Sequence, residues 1–185
     1  MRRHSHDHAR VVQIDRFVDL PDAWRSQRHD LRSKLIWAGF GPLQNGLWIA
    51  PGEVDVPPVI DDLDLDSYLK VFTARAAKPT ESEQLAHAAF DIAEIASRYE
   101  DFLQRWDRED PLAELPDDLA RQLVLHTDWL RLVRSDPHLP AEHLPQDWPA
   151  IRAEELFHTS ASAYDKRARA IATSVLETIP VVDLH

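Results

Sequence analysis

The chain has no cysteine, a single methionine and only four glycines, and each shortage removes a class of explanation. Without cysteine there is no disulfide framework, no zinc-thiolate site and no thiol nucleophile, a composition that fits a reducing compartment. Positive charge is also scarce. Lys and Arg number 21 against 32 Asp and Glu, a net charge of −11. Non-specific nucleic-acid binding draws on Lys and Arg neutralising phosphates, so long-range attraction of the whole chain to DNA is not expected. No apolar run approaches the roughly 18 residues that suggest a membrane span, and mean hydropathy is −0.41. The N-terminus has no apolar segment of the signal-peptide kind, so a cytoplasmic address and no membrane partner are expected.

What is present points to a folded body. At 185 residues, 44% hydrophobic with six tryptophans and six phenylalanines, the chain can bury a core of one large domain or two small ones. All four glycines fall between Trp37 and Gly52, so this stretch alone is equipped for sharp reversals. Asn45-Gly46 between Pro42-Leu43-Gln44 and Leu47-Trp48-Ile49 is the pair that a two-residue type I′ hairpin requires. Charge is distributed unevenly. Arg25, Arg28, Arg32 and Lys34 face only Asp30 over residues 24–37, whereas residues 53–66 carry six carboxylates and no base.

Met1 to Arg10 lacks apolar pattern and is read as a mobile leader. His4, His6 and His8 there have no supporting groups to orient them on a metal. Val11 to Val18 has strand composition, and Asp22 to Ala38 repeats apolar residues at helical spacing, with Gly39 placed to close the helix. The hairpin follows, then a short helix within Val54 to Leu65 entered at Pro57-Pro58, then a strand over Tyr68 to Ala74. This β-α-β-β-α-β order is the ferredoxin-like pattern. Thr80 to Glu83 reads as a capping box for a helix carrying Leu85, Ala89, Ile92, Ala96, Tyr99, Phe102 and Trp106. A second helix follows Pro116-Asp117-Asp118. Four prolines between Asp136 and Pro149 make an extended connector. Asp147 is expected to cap a last helix from Trp148 to about Glu177. The expected class is therefore α+β: a ferredoxin-like domain over 11–77 followed by an all-α domain over 80–185, with connector 136–149.

Motifs with chemistry are few. Counting an EF-hand from Asp62 puts Ser67 where glycine is needed and Thr73 where the bidentate glutamate is needed, so the acidic run reads as a solvated face. Gly39, Gly41 and Gly46 fit neither phosphate-loop nor dinucleotide spacing. His126 lies on an apolar helix face, where a packed histidine outweighs a catalytic one. His143 and His158 have no nucleophile elbow beside them, so a hydrolase is unsupported. Asp15, Asp19 and Asp22 could hold a divalent ion at the end of the first strand, but capping the following helix explains Asp19 and Asp22 without metal. Tryptophans 24, 37, 48, 106, 129 and 148 exceed what a core of this size requires, and four stand at element boundaries. With Arg28, Arg32 and Lys34 nearby, they could line a pocket for an aromatic or acyl group bearing phosphate. No catalytic residue, metal or cofactor is expected.

Two segments carry a family likeness. One keeps Arg25, Arg28, Leu31, Arg32, Leu35, Gly39-Phe40-Gly41, Leu43, Gly46-Leu47-Trp48-Ile49 and Pro51. The other keeps Asp136-Pro137, Leu139-Pro140, Leu144-Pro145, Asp147-Trp148-Pro149, Ala153 and Leu156-Phe157. In sequence and spacing they resemble the PaaX family of phenylacetic acid degradation repressors, from about Val11 to Ile179. The resemblance implies a Cas2-like ferredoxin fold in the first part and a helical C-terminal domain. It also implies relief of repression by phenylacetyl-CoA, and DNA contact only through a winged helix. Ten polar residues before Val11 cannot build that winged helix. A fragment, a late start or a regulator without its own DNA-reading domain is expected.

The leading expectation is the effector-sensing and dimerisation region of such a repressor, a homodimer binding an acyl-CoA. Arg28, Arg32, Trp37, Trp48, His126, Trp129 and Trp148 are the candidate ligand contacts on physical grounds. A Cas2-like metal-dependent nuclease using Asp19, and a module pairing with a full-length paralogue, are the alternatives.

Overall fold

β-branched residues stiffen χ1 and suit a pleated backbone, and Val11, Val12 and Ile14 fall in β1 (Ala9–Ile14). In the structure, a computed structural model, residues 9–14, 25–44, 46–61, 63 and 68–175 are described. The leader up to residue 8, Asp15, Asp19, Asp22, Trp24, Asn45 and the acidic run from Asp62 apart from Leu63 lie outside them.

Helix α1 (Arg25–Trp37) buries Leu31 and Leu35, four residues apart and so on one face. It ends in a Schellman motif. Phe40 N–H donates to the Leu35 carbonyl at 2.9 Å and Gly39 N–H to that of Ile36 at 3.0 Å, while Gly39 takes φ +84°, which glycine tolerates without a Cβ clash. Phe40, the residue after the turn, then packs in the same cluster as Leu31 and Leu35. The hairpin forms between β2 (Gly41–Gln44) and β3 (Leu47–Pro51). Gln44 pairs with Leu47 across a two-residue connection in which Gly46 has φ +77°.

α2 (Pro57–Ile60) is one turn, and β4 (Leu69–Ala74) follows. The four strands make one sheet in the order β2-β3-β1-β4, antiparallel at every pairing. Trp48 and Ala50, two apart on β3 and so on one face, join Leu31, Leu35, Phe40, Val56, Ile60 and Leu63 in the core. On the opposite face α3 (Ser82–Ala89) lies against β2. A Cβ on Gly41 would stand 2.7 Å from the Phe90 ring and closer still to the Ala89 carbonyl oxygen. Only glycine fits there.

Four sequence expectations are corrected. Thr80 is not the cap of α3, because Glu81 occupies that position in extended conformation with no side-chain cap bond. The long helix through Leu85 and Trp106 is interrupted. Phe90 is extended, at φ −127° and ψ 135°, and Asp91 accepts the Glu94 N–H at 2.9 Å, starting α4 (Ile92–Trp106) afresh. The connector is not wholly extended, since Ala141–His143 form one 3-10 turn. The last helix, α6 (Ala150–Val175), starts two residues later than Trp148. Its first bond is accepted by the Pro149 carbonyl, 3.0 Å from Ala153 N, so the cap position falls on Pro149. Between these, α5 (Asp118–Ser135) is capped by Asp117, which accepts from Ala120 N–H at 2.8 Å.

Two compact units result. One holds the chain up to Ile95 with Arg134–Asp147, and the other holds Ala96–Val133 with Trp148 onward. The division falls inside α4 and α5, so proximity in sequence and proximity in packing part company at the connector. No helix among the described residues is long and apolar enough to cross a membrane.

Candidate functional site

In the second unit, aromatic residues at helical spacing on α4 meet those on α5 and α6. Trp129 stacks on Phe157 with ring centres 4.7 Å apart and planes 11° apart. His126 meets the same ring edge-on at 5.3 Å, and Phe102 leans on Trp129 at 5.6 Å. Such offset and edge contacts follow the aromatic quadrupole. His126 Nδ1 lies 2.8 Å from the Gln122 carbonyl oxygen. A carbonyl only accepts, so Nδ1 carries a proton in this contact. Trp148 touches Tyr99 edge-on at 6.0 Å.

Charge surrounds this aromatic centre. Trp106, 1% exposed, donates its indole N–H to Asp128 at 3.1 Å, and Asp128 also pairs with Arg105 at 3.3 Å. Asp118, at the start of α5, lies 3.2 Å from Arg121 and 3.1 Å from Arg167. Arg121 reaches Asp110 as well, at 3.4 Å. Beside these groups, burial pushes the Tyr164 phenol up, with Arg121 opposing the shift and Asp118 and Asp110 adding to it. Arg121 is thus committed to two carboxylates, Asp118 on α5 and Asp110 in the segment before it, which leaves it a poor anchor for an incoming anion.

The seven candidate contacts are dispersed over the two units. In the first, Arg28 is half-buried on α1, Arg32 is exposed, and Trp37 is 70% exposed. Trp48 is only 2% exposed, its ring taken up by the core cluster. In the second, His126 and Trp129 are brought together on Phe157, whereas Trp148 stands on Tyr99. Sequence reasoning missed Phe157, Asp118, Asp128 and Arg121 as members of this arrangement. For Phe157 a signal was present, since it belongs to the Leu156-Phe157 motif. Asp118 offered only its i,i+3 spacing to Arg121, while its other partner Arg167 lies 49 residues away and Trp106, the partner of Asp128, lies 22 residues away. Among the described residues no group of three His, Cys, Asp or Glu could hold a metal ion.

Residues 16–86 match the PaaX protein central Cas2-like domain, and residues 90–174 match the PaaX-like protein C-terminal domain. The chain belongs to the PaaX family. The junction between the two PaaX matches falls at the break between α3 and α4. Transcriptional repressor PaaX of Escherichia coli (strain K12) is 30% identical over 148 residues, covering 71% of this chain and 46% of that repressor. The chain therefore spans about half the length of the curated relative it matches. A solved structure, uncharacterized protein Rv0674 from Mycobacterium tuberculosis, has a similar fold. Its TM-score is 0.67 at 24% identity, over 91% of this chain and 64% of that one.

Proposed function

We propose that this chain is the effector-sensing and dimerisation region of a PaaX-type transcriptional regulator of aromatic catabolism, without catalytic activity. The observation that carries the reading is the pair of consecutive PaaX domain matches over 16–86 and 90–174, together with likeness to a protein that is itself a transcriptional repressor. The strand order β2-β3-β1-β4 and the element order support a ferredoxin-like first domain over 11–77, followed by a helical domain over 80–185. A net charge of −11 suits a sensing body better than a surface that grips phosphates.

The effector in this reading is an acyl-CoA, phenylacetyl-CoA first among them. Arg32 and Trp37 in one unit, and His126 with Trp129 in the other, are the contacts to alter first. A ligand that binds only the folded state stabilises it by about 2.7 kcal/mol at a hundred times its Kd. Phenylacetyl-CoA is accordingly expected to raise the melting temperature, and coenzyme A alone to raise it less. A flat response across a panel of aryl- and acyl-CoA thioesters would overturn the sensing assignment.

A further inference from the structure

Between α5 and α6 the chain changes unit and comes back. Helix α5 up to Val133 and α6 belong to the second unit, yet residues 134–147 pack with the first. Pro137, Pro140 and Pro145 in this passage carry no N–H, so no ladder of backbone bonds can run through it. Its bonds are local instead. His138 N–H donates to the Asp136 carboxylate at 2.7 Å, His143 N–H to the Pro140 carbonyl at 2.9 Å and Leu144 N–H to that of Ala141 at 3.2 Å. A segment tied by such short-range bonds belongs to the parts of a fold that open first.

Its seat on the first unit has two points. The 3-10 turn Ala141–His143 lies against α3, and Pro137 backs the turn that ends α1, where a Cβ on Gly39 would stand an ordinary 3.9 Å from the Pro137 Cα. The bend between these points falls on His138. Asp136 precedes proline and is pushed towards extended backbone. Its carboxylate accepts from the N–H two residues on, as in an Asx turn, and His138 is left at φ +55°. That is left-handed backbone, uncommon for a residue with a Cβ, and Leu112 is the one other non-glycine residue there among the described residues. The His138 side chain is exposed, so burial of the imidazole does not hold the bend. Backbone of this kind persists only where its surroundings over-determine it, and here the seat at either end does so. Loss of the seat lets His138 relax, and relaxation of His138 draws Pro137 away from Gly39.

We propose that residues 136–147 are a strap that seats and unseats on the first unit as one piece, with the left-handed backbone of His138 as its latch. Its regulation rests on the effector-sensing part of the function proposed above. Trp37, one of the contacts named there, stands two residues before Gly39, so a ligand lodged on Trp37 fixes the turn that Pro137 backs. Such a ligand favours the seated strap by the difference in its affinity for the two states.

Hydrogen exchange in the full chain reads the strap through the bonded amides of His143 and Leu144. In the unaltered protein both are expected to share one protection factor, about a hundredfold or more below that of Leu35 in α1. His138→Val puts a β-branched residue on left-handed backbone and is expected to speed exchange at both amides about tenfold or more. His138→Gly loses the same imidazole without the backbone conflict and is expected to stay within about threefold of the unaltered protein. Equal rates in the two variants overturn the latch, as does a rise in α1 as large as the rise in the strap. Phenylacetyl-CoA is expected to slow exchange at His143 and Leu144 by about threefold or more. If it raises the melting temperature and leaves these amides unchanged, the link to the effector is wrong and sensing stands. If it does neither, sensing falls together with the link, and the two variants alone decide the latch.

Discussion

Each of the two compact units is held together internally by a different kind of contact. In the first, helix α1 and strand β3 close on a cluster of aliphatic and aromatic side chains, and backbone geometry at Gly39, Gly41 and Gly46 sets where the elements meet. In the second, no described residue is a glycine. Its helices meet through ring contacts around Phe157 and through carboxylates at Asp107, Asp118 and Asp128 that bridge from one helix to another. A sheet is placed by its turns, and a helical bundle by its side chains. Backbone substitutions should therefore damage the first unit most, and side-chain truncations the second.

The largest effect that would test this contrast is truncation of Trp106, which is almost fully enclosed and bonded to Asp128. Trp106→Ala should cost about 3–5 kcal/mol, measured as a lowered urea midpoint. Gly41→Ala comes next. Its Cβ meets the Ala89 backbone as well as the Phe90 ring, and the backbone cannot swing aside, so the cost is about 1–3 kcal/mol as for overpacking. Amide exchange should rise in α3 and β2 while the second unit is unaffected. A loss spread evenly over both units would remove the distinction.

Asp128→Ala leaves the indole N–H of Trp106 without its acceptor, a loss of about 1–3 kcal/mol visible as a fall in melting temperature. Asn at that position keeps an acceptor oxygen and should recover part of the loss. Smallest is Arg167→Ala. That side chain is 79% exposed in its pair with Asp118, so the change should be within about 0.5 kcal/mol. A larger loss would show that the carboxylate network acts as a unit.

The first unit was the more legible in sequence, and the contrast explains why. Strand period, the Asn45-Gly46 connection and Gly39 after a helical run are local signals, and β2, β3, α1 and the short α2 appear where those signals fall. The break at Phe90 was not legible. Apolar spacing continues unbroken from Leu85 to Trp106 and masks Asp91 with Glu94, a helix-start signature that the sequence reading passed over. Thr80 failed as a cap for the same reason in reverse, since a matching pair of residue types does not fix which residue leaves the helix. Among the candidate contacts, Trp48 could have been placed by alternation with Ala50 on the core side of β3. The pairing of Trp129 with Phe157 could not, because it depends on how α5 and α6 meet.

Trp37 is 70% exposed in the first unit and Trp106 is 1% exposed in the second, so a single chain carries two indoles in opposite surroundings. Water around an excited indole shifts its emission to the red, and a dissolved quencher reaches only the indoles it can touch. Acrylamide should remove the red part of the emission first and leave a blue remainder shared by Trp48 of the first unit and Trp106 of the second, both nearly enclosed. In a Trp48→Phe background, opening of the helical unit would then be read as the loss of that remainder, with no label attached.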